Sequence, residues 1–250
     1  MRIATARYIG RLGNNMFQLA AAIGYARRYG YEWSSLSYNE EVPEFFDYFP
    51  HLPRSNARGT TYQCHDPNTF NFKPIPNKGS CNLMGFFQSE KYFKHCKDEI
   101  KNVFKLPLVE GLEDHVSLHV RRGDYVKYKN DFPPVTLNYI FKAIERMKER
   151  GHKKFTIFSD DIPWCKRYIP GYYYSTGRNP FEDMGAMASC GNHIIANSTF
   201  SWWAAYLGTN IDKHIISPSH KSWFGKQNGV IMAIGYPKDI IPEGWEQIDF

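Results

Sequence analysis

No stretch of this chain approaches the roughly 18 consecutive apolar residues that a membrane-spanning helix needs. The opening residues, MRIATARYIGRLGNN, lack the apolar run of a secretory signal. A soluble, cytoplasmic protein without a transmembrane segment is therefore expected, and peripheral attachment to a membrane stays compatible with that. Cysteine is sparse: Cys64, Cys81, Cys96, Cys165 and Cys190 are the five in the chain. No two of them form a CxxC pair, so a zinc finger or a dithiol redox motif is disfavoured. Buried thiols are the expectation. No acidic or histidine cluster shows metal-ligand spacing, so neither a metal nor a cofactor is expected. Charge of one sign is not dominant either, since 31 Lys and Arg against 25 Asp and Glu leave a net +6. An excess so small, with its lysines scattered, does not call for nucleic acid as a partner. It fits a small anionic ligand.

What is present is material for a core: 42% of the 250 residues are hydrophobic and 16% aromatic. That length holds one large domain or two small ones. The chain opens with an apolar stretch, Ile3 to Ile9, that suits a strand. GRLGNNMFQLAAAIGYARRYG follows. Gly10 and Gly13 bracket a tight turn, and Met16, Leu19, Ala20 and Ile23 recur at helical spacing. Asn14 or Asn15 is the expected N-cap and Gly30 the expected stop. Strand, glycine turn and helix together place backbone N–H groups beside any anion. The glycines do not complete GxGxxG, and the P-loop lysine is missing.

Residues 34–79 are rich in Pro, Asn, Ser and aromatics and show no long period. They read as a loop region shaping an acceptor cleft, or as a surface insertion. Leu83 to Phe87 suit a strand. Ser89 is the expected N-cap of a helix with Glu90 just inside it and Tyr92, Phe93, Cys96, Ile100, Val103 and Phe104 on one face. KLPLVEG reads as a linker. It divides an N-terminal domain, 1–107, from a C-terminal one, 108–250.

Beyond that linker, strands and helices alternate. Val116–Val120, KFTIFSDD, HIIANS and KHIISPS read as strands; a helix capped by Thr136 and ended by Gly151, then PFEDMGAMASCG and TFSWWAAYLG, read as helices. Such alternation implies an α/β fold with a parallel sheet, whose ligands sit at the carboxyl ends of the strands. Three strand ends carry polar clusters. Arg121-Arg122-Gly123-Asp124 is cationic and forked, as a phosphate requires. Ser159-Asp160-Asp161 is acidic, able to accept from guanine N–H groups or ribose hydroxyls. Asn197-Ser198-Thr199 is a hydroxyl-rich turn at a helix N-terminus, suited to a phosphate oxygen. On one rim they describe a nucleotide diphosphate site. Neighbouring residues of a strand point to opposite sides, so one arginine should face the ligand and the other pair with Asp124 or with backbone. Arg121, on the face of His119, is assigned to the diphosphate. Each cluster also has a plain alternative: RRGD as a surface turn with a local ion pair, SDD as a helix cap, NST as a glycosylation acceptor.

HVRRGDY, FSDD, NSTFSWWAAYLG, GRLGNNMFQLA and GFFQSEKYF together carry a resemblance to the α-1,2-fucosyltransferases of glycosyltransferase family 11, the first and third being the specific pair. It runs from about Gly10 to the C-terminal IIPEGWEQI. It implies a GT-B-like fold, two Rossmann-type halves with parallel sheets facing across a cleft. It also implies GDP-β-L-fucose as donor, a terminal β-galactose 2-hydroxyl of a glycan as acceptor, inversion to an α-1,2 linkage, and no bound metal. By the same resemblance Arg121 holds the β-phosphate with Arg122 supporting it, and His119 lies near ribose or base. Asp160 or Asp161 meets guanine or ribose, and Asn197, Ser198, Thr199 and Ser201 line the phosphates. Arg11, Gly13 and Asn14 match an element that reaches the sugar diphosphate, Asn14 and Asp124 being counted with Arg121 as catalytic. Gln88 and Glu90 fall on the acceptor side. Asp124 and Glu90 are the carboxylates available as a base. Asn15 departs from the pattern, standing where the family has glutamine. Competing readings are a transferase for another nucleotide sugar, a protein O-fucosyltransferase, and a non-catalytic module binding carbohydrate or nucleic acid.

Overall fold

The computed structural model describes residues 2–36, 43–55 and 70–250. Parts of the loop region predicted over 34–79, namely 37–42 and 56–69, lie outside the described residues, as does Cys64. The chain forms two compact units. The first comprises residues 1–105 and 238–242, the second residues 106–237 and 243–250. The sequence boundary at 107 falls beside this division, but it assigned 238–242 to the C-terminal half. Those residues join the first unit through Asp239, which accepts from the Phe72 amide at 2.7 Å and pairs with Lys91 at 2.5 Å.

In the first unit, β1 (Ile3–Ala6) is the middle strand of a parallel three-stranded sheet, between β2 (Glu32–Trp33) and β5 (Cys81–Leu83). A second small parallel pair joins β3 (Ser35–Leu36) to β4 (Arg54–Ser55), and α2 (Pro43–Tyr48) lies between them in sequence. Helix α1 (Leu12–Tyr29) buries every residue from Asn15 to Ala26. This is why its apolar positions, Met16, Phe17, Leu19, Ile23, run broader than one stripe. Its N-cap is Arg11, not Asn14 or Asn15, and no side chain caps it. Asn15 turns inward and its amide reaches Gln18 and the carbonyls of Ile9 and Gly10. Gly30 ends the helix in left-handed conformation, as expected. The strand expected over Leu83–Phe87 ends at Leu83, because Gly85 and Phe87 take positive φ. The expected helix after Ser89 is two 3-10 turns, Glu90–Tyr92 and Lys94–Cys96, followed by α3 (Lys97–Val103). Ser89 does cap the first turn, accepting from the Lys91 amide.

The second unit carries a six-stranded sheet in which every pairing is parallel. Its strands are β6 (His115–Val120), β7 (Lys154–Ser159), β8 (Tyr173–Tyr174), β9 (Asn192–Ile194), β10 (Ile215–Pro218) and β11 (Glu246–Ile248). Its helices are α4 (Gly123–Lys127), α5 (Leu137–Glu149), α6 (Ile162–Tyr168), α7 (Pro180–Ser189), α8 (Thr199–Leu207) and α9 (Gly229–Ile234). The spatial order is β11-β10-β9-β6-β7-β8. The chain thus winds outward from β6 on one side, returns beside β6 as β9, and winds outward on the other. This is the Rossmann strand order, and its switch point lies between β6 and β9. Val116, Leu118, Ile157, Ile194 and Ile216 fill the sheet's core against Tyr139, Ile140 and Ile144 of α5. Thr136 caps α5, accepting from the Tyr139 amide. The strand-end residues Asp160 and Asp161 were legible, and the alternative reading of SDD as a helix cap holds for Asp161, which caps α6.

Candidate active site

Register sets which strand ends meet. Val120 of β6 lies opposite Ser159 of β7, and Leu118 opposite Ile194 of β9. The residues following β6, β7 and β9 therefore leave the sheet side by side at its carboxyl edge, at the switch point. There the Ser159 hydroxyl donates to the Val120 carbonyl and accepts from the Asp161 amide, fixing the turn after β7.

The Arg121 guanidinium sits between two carboxylates. Nη2 donates to Asp124 Oδ1 at 2.5 Å, and Nη1 lies 2.8 Å from Asp160 Oδ2. The second oxygen of Asp160 accepts the Arg122 amide at 2.8 Å. Arg122 itself pairs through Nε with Asp161 at 3.1 Å, and its guanidinium carbon lies 3.9 Å over the Trp164 ring. Asp161 also caps α6 by accepting the Trp164 amide. The division of labour expected between the two arginines is thus corrected. Pairing with Asp124 falls to Arg121, the residue assigned to the ligand, because α4 starts at once and brings Asp124 back by one turn. Both acids of SDD are occupied by arginine contacts, where guanine or ribose had been expected. Gly123 completes the corner, since a Cβ there would stand 2.4 Å from Asp160 Oδ2. A guanidinium carries five N–H donors, more than these two carboxylates consume. The Arg121 side chain keeps 20% of its surface exposed.

His119 lies one strand position back on the face of Arg121, buried, with its ring 5.5 Å from Phe200. Burial first and the Arg121 charge second push its pKa down to about 3, so it is a neutral imidazole in ordinary buffers. Its Nδ1 is buried without a hydrogen-bond partner among the described residues. In the turn after β9, Ser198 and Thr199 stand at the start of α8. Asn197 and Ser201 do not line a ligand surface as expected. Asn197 is 2% exposed and its amide donates to the Pro133 and Trp223 carbonyls. Ser201 is fully buried, its hydroxyl donating to the carbonyls of Ala196 and Ser198. Both hold the turn from behind. Sequence reasoning missed Tyr125, whose hydroxyl donates to the Asn197 carbonyl and ties α4 to this turn, and Trp164. The tyrosine stood in the RRGDY motif. The tryptophan had only its spacing of three from Asp161 as a signal.

In the first unit, Asn14 and Gln88 meet at the carboxyl edge of that unit's sheet, Gln88 Nε2 donating to Asn14 Oδ1 at 3.0 Å. Arg11 is the N-cap of α1, and Gly13 and Asn14 lie in that helix's first turn, so Gly10, not Gly13, makes the bend that was expected between two glycines. Glu90 is largely buried and pairs with Lys94 at 3.5 Å. Among the described residues, no group of three His, Cys, Asp or Glu comes together that could hold a metal ion, and no helix is long and apolar enough to cross a membrane.

A Rossmann-ordered unit with forked cations at its switch point, joined to a second parallel α/β unit, defines the GT-B-like class of sugar transferase folds. A solved structure of this kind is the NodZ α-1,6-fucosyltransferase soaked with GDP-fucose. It aligns with 82% of this chain and 92% of its own at a TM-score of 0.51 and 14% identity. At that identity the likeness concerns the fold alone. The family is shown by sequence: the model for glycosyl transferase family 11 matches residues 52–231, and the chain belongs to that family. An α-1,2-colitosyltransferase of Escherichia coli is 34% identical over 194 residues, covering 69% of this chain and 64% of the relative. The galactoside 2-α-L-fucosyltransferase SEC1 of Bos taurus is 28% identical over 230 residues, covering 79% and 62%. The chain thus spans somewhat less than two thirds of the length of these curated relatives.

Proposed function

We propose that this protein transfers L-fucose from GDP-β-L-fucose to the 2-hydroxyl of a terminal β-galactose, inverting the anomeric centre to give an α-1,2 linkage. Family membership supports the reaction class, and the names of the relatives support the linkage and the sugar type. The observation that carries the reading is the Arg121 guanidinium fixed at the switch point by Asp124 and Asp160. As the bond from C1 of the sugar to the β-phosphate oxygen breaks, charge builds on the phosphate. A donor already aimed at that oxygen is worth more in the transition state than in the ground state. The acceptor hydroxyl attacks C1 from the opposite face, and its proton passes to a base or to the departing phosphate. In this reading arginine supplies the positive charge at the diphosphate and no resident metal takes part.

A second reading keeps the site and changes the sugar, since one relative is named for colitose transfer. The test offers GDP-fucose and nucleotide-activated colitose separately, with lactose or lacto-N-biose and a chelator, and reads product by mass. Fucosylated product with chelator present is expected. Product from colitose alone transfers the assignment to the second reading, and product from neither removes both.

A further inference from the structure

The Asn14–Gln88 contact has features that a plain buried hydrogen bond does not. Gln88 is 4% exposed, yet its Oε1 is buried with no partner among the described residues. The residue before it, Phe87, has φ +49°, the one non-glycine positive φ among the described residues. Left-handed backbone at a bulky aromatic is strained, and such strain concentrates where a side chain must be aimed. Here the neighbouring bond from the Ser89 amide to the Phe87 carbonyl at 2.8 Å closes the kink, and Gln88 emerges from it onto Asn14. On the other side, Gly10 has φ +85°, and a Cβ there would stand 2.5 Å from Asn14 Nδ2. The Asn14 carboxamide oxygen is therefore held by Gln88, and the missing Cβ of Gly10 leaves room for its nitrogen. The group stands at the first turn of the 18-residue helix α1.

We propose that Gln88 is a positioning residue that acts through Asn14. It fixes which end of the Asn14 carboxamide faces the carboxyl edge of the first unit's sheet, so that α1 begins with an N–H donor of set direction. This rests on the transferase reading, in which that edge belongs to the substrate site. It changes the role given to Gln88 by sequence, which was contact with the acceptor. An asparagine amide left to itself presents oxygen or NH2 by a half-turn about one bond. An acceptor atom of a sugar or phosphate is met by only one of the two. Oxygen presented in place of NH2 turns an attraction into a repulsion without moving the backbone.

The test compares wild type with Gln88→Met, Gln88→Glu, Asn14→Ala and the Asn14→Ala/Gln88→Met double variant. Methionine keeps the length and removes the amide. A glutamate carboxylate only accepts, so it draws the Asn14 NH2 toward itself. Both single changes at Gln88 should lower kcat about tenfold to a hundredfold, the range for a misaimed group, with melting temperatures near wild type. In the Asn14→Ala background, Gln88→Met should add nothing. Independent effects that multiply would mean that Gln88 supports structure only, and would overturn the proposal. The side-chain amide signals of Asn14 in a 15N-labelled sample give a readout apart from activity. They should be dispersed in wild type and shift in Gln88→Met as the Asn14 oxygen loses its donor. Unchanged signals overturn the proposal whatever the turnover. Absent turnover in wild type with every donor, together with the shift of these signals, strikes the transferase reading and leaves the positioning contact standing.

Discussion

Arg121 and Asp160, from the ends of adjacent strands, form an ion pair at 2.8 Å that the register of β6 against β7 imposes. The pair fixes a guanidinium at the switch point before any ligand arrives. Preorganisation of this kind is what electrostatic catalysis needs, because nothing has to reorganise as charge develops. Arg121→Ala should lower kcat by about a hundred- to a thousandfold, the loss of one preorganised donor. Arg121→Lys should not restore it, since an ammonium has no planar fork to reach two carboxylates and a phosphate together. Initial rates with saturating acceptor, and a melting curve to confirm folding, check both. Turnover of Arg121→Ala near wild type would remove the assignment.

The carboxylate should matter through the arginine. Asp160→Asn keeps shape and can still accept the Arg122 amide, but it loses the charge that holds Arg121. Gly123→Ala attacks the same contact sterically, through the 2.4 Å approach of a Cβ to Asp160 Oδ2. The two variants should therefore resemble one another, each reducing kcat by less than Arg121→Ala and raising the donor KM. A Gly123→Ala enzyme with unchanged kinetics would show that the corner yields without disturbing the guanidinium.

Most of this second unit was legible in the sequence, and the reason is physical. In a parallel sheet covered by helices the strands are short apolar runs, and the polar residues that end them stand out against them. Arg121, Asp160 and Ser198 were readable as strand-end groups on that ground, whereas His119, inside the run that forms β6, was pointed to only by the family resemblance. What was not readable depends on side-chain partnership. No pattern in RRGD tells that Arg121, rather than Arg122, closes onto Asp124, because that follows from α4 starting only two residues after the strand, with Arg122 as its N-cap. Asn197 and Ser201 look like ligand groups in sequence and prove to be braces, since β9 ends two residues earlier than the apolar run does. The first unit was harder. Its strands are two to four residues long, and Phe87 reverses the backbone inside what reads as a strand.

Neither acid named as a base is expected to act as one. Asp124 is held by Arg121, and Glu90 by Lys94. In Asp124→Asn the rate should fall, because Arg121 loses a support, yet the acid limb of the pH–rate profile should keep its midpoint. Glu90→Gln should change neither. Disappearance of the acid limb in either variant would identify that residue as the proton acceptor.

Two buried histidines set the expected response to acid. His119 is pushed down to about 3 by burial and then by Arg121; His193 is pushed down to about 3 by burial and then by Lys213. In the unfolded chain each returns to about 6.5. Between those values the unfolded state takes up protons that the folded state refuses. Stability is thus full above about pH 6.5 and falls as pH drops through the window down to about 3, by about 1.4 kcal/mol per pH unit for each such histidine. His152, lowered mainly by burial, adds in the same direction. Glu99, lowered chiefly by its bond to Arg27, acts only further down, below the ordinary carboxylate range. Asp183, raised chiefly by burial, acts in the opposite sense, so denaturant melts at pH 7.5, 6 and 5 are read against the histidine variant below. His193→Gln should flatten the slope without touching the strand-end cluster, since His193 bonds the Ser117 hydroxyl within the sheet. A wild-type stability that stays level from pH 7.5 to 5 would mean that these imidazoles accept protons while folded. His119 would then be a cation beside Arg121, and no longer a neutral wall of the site.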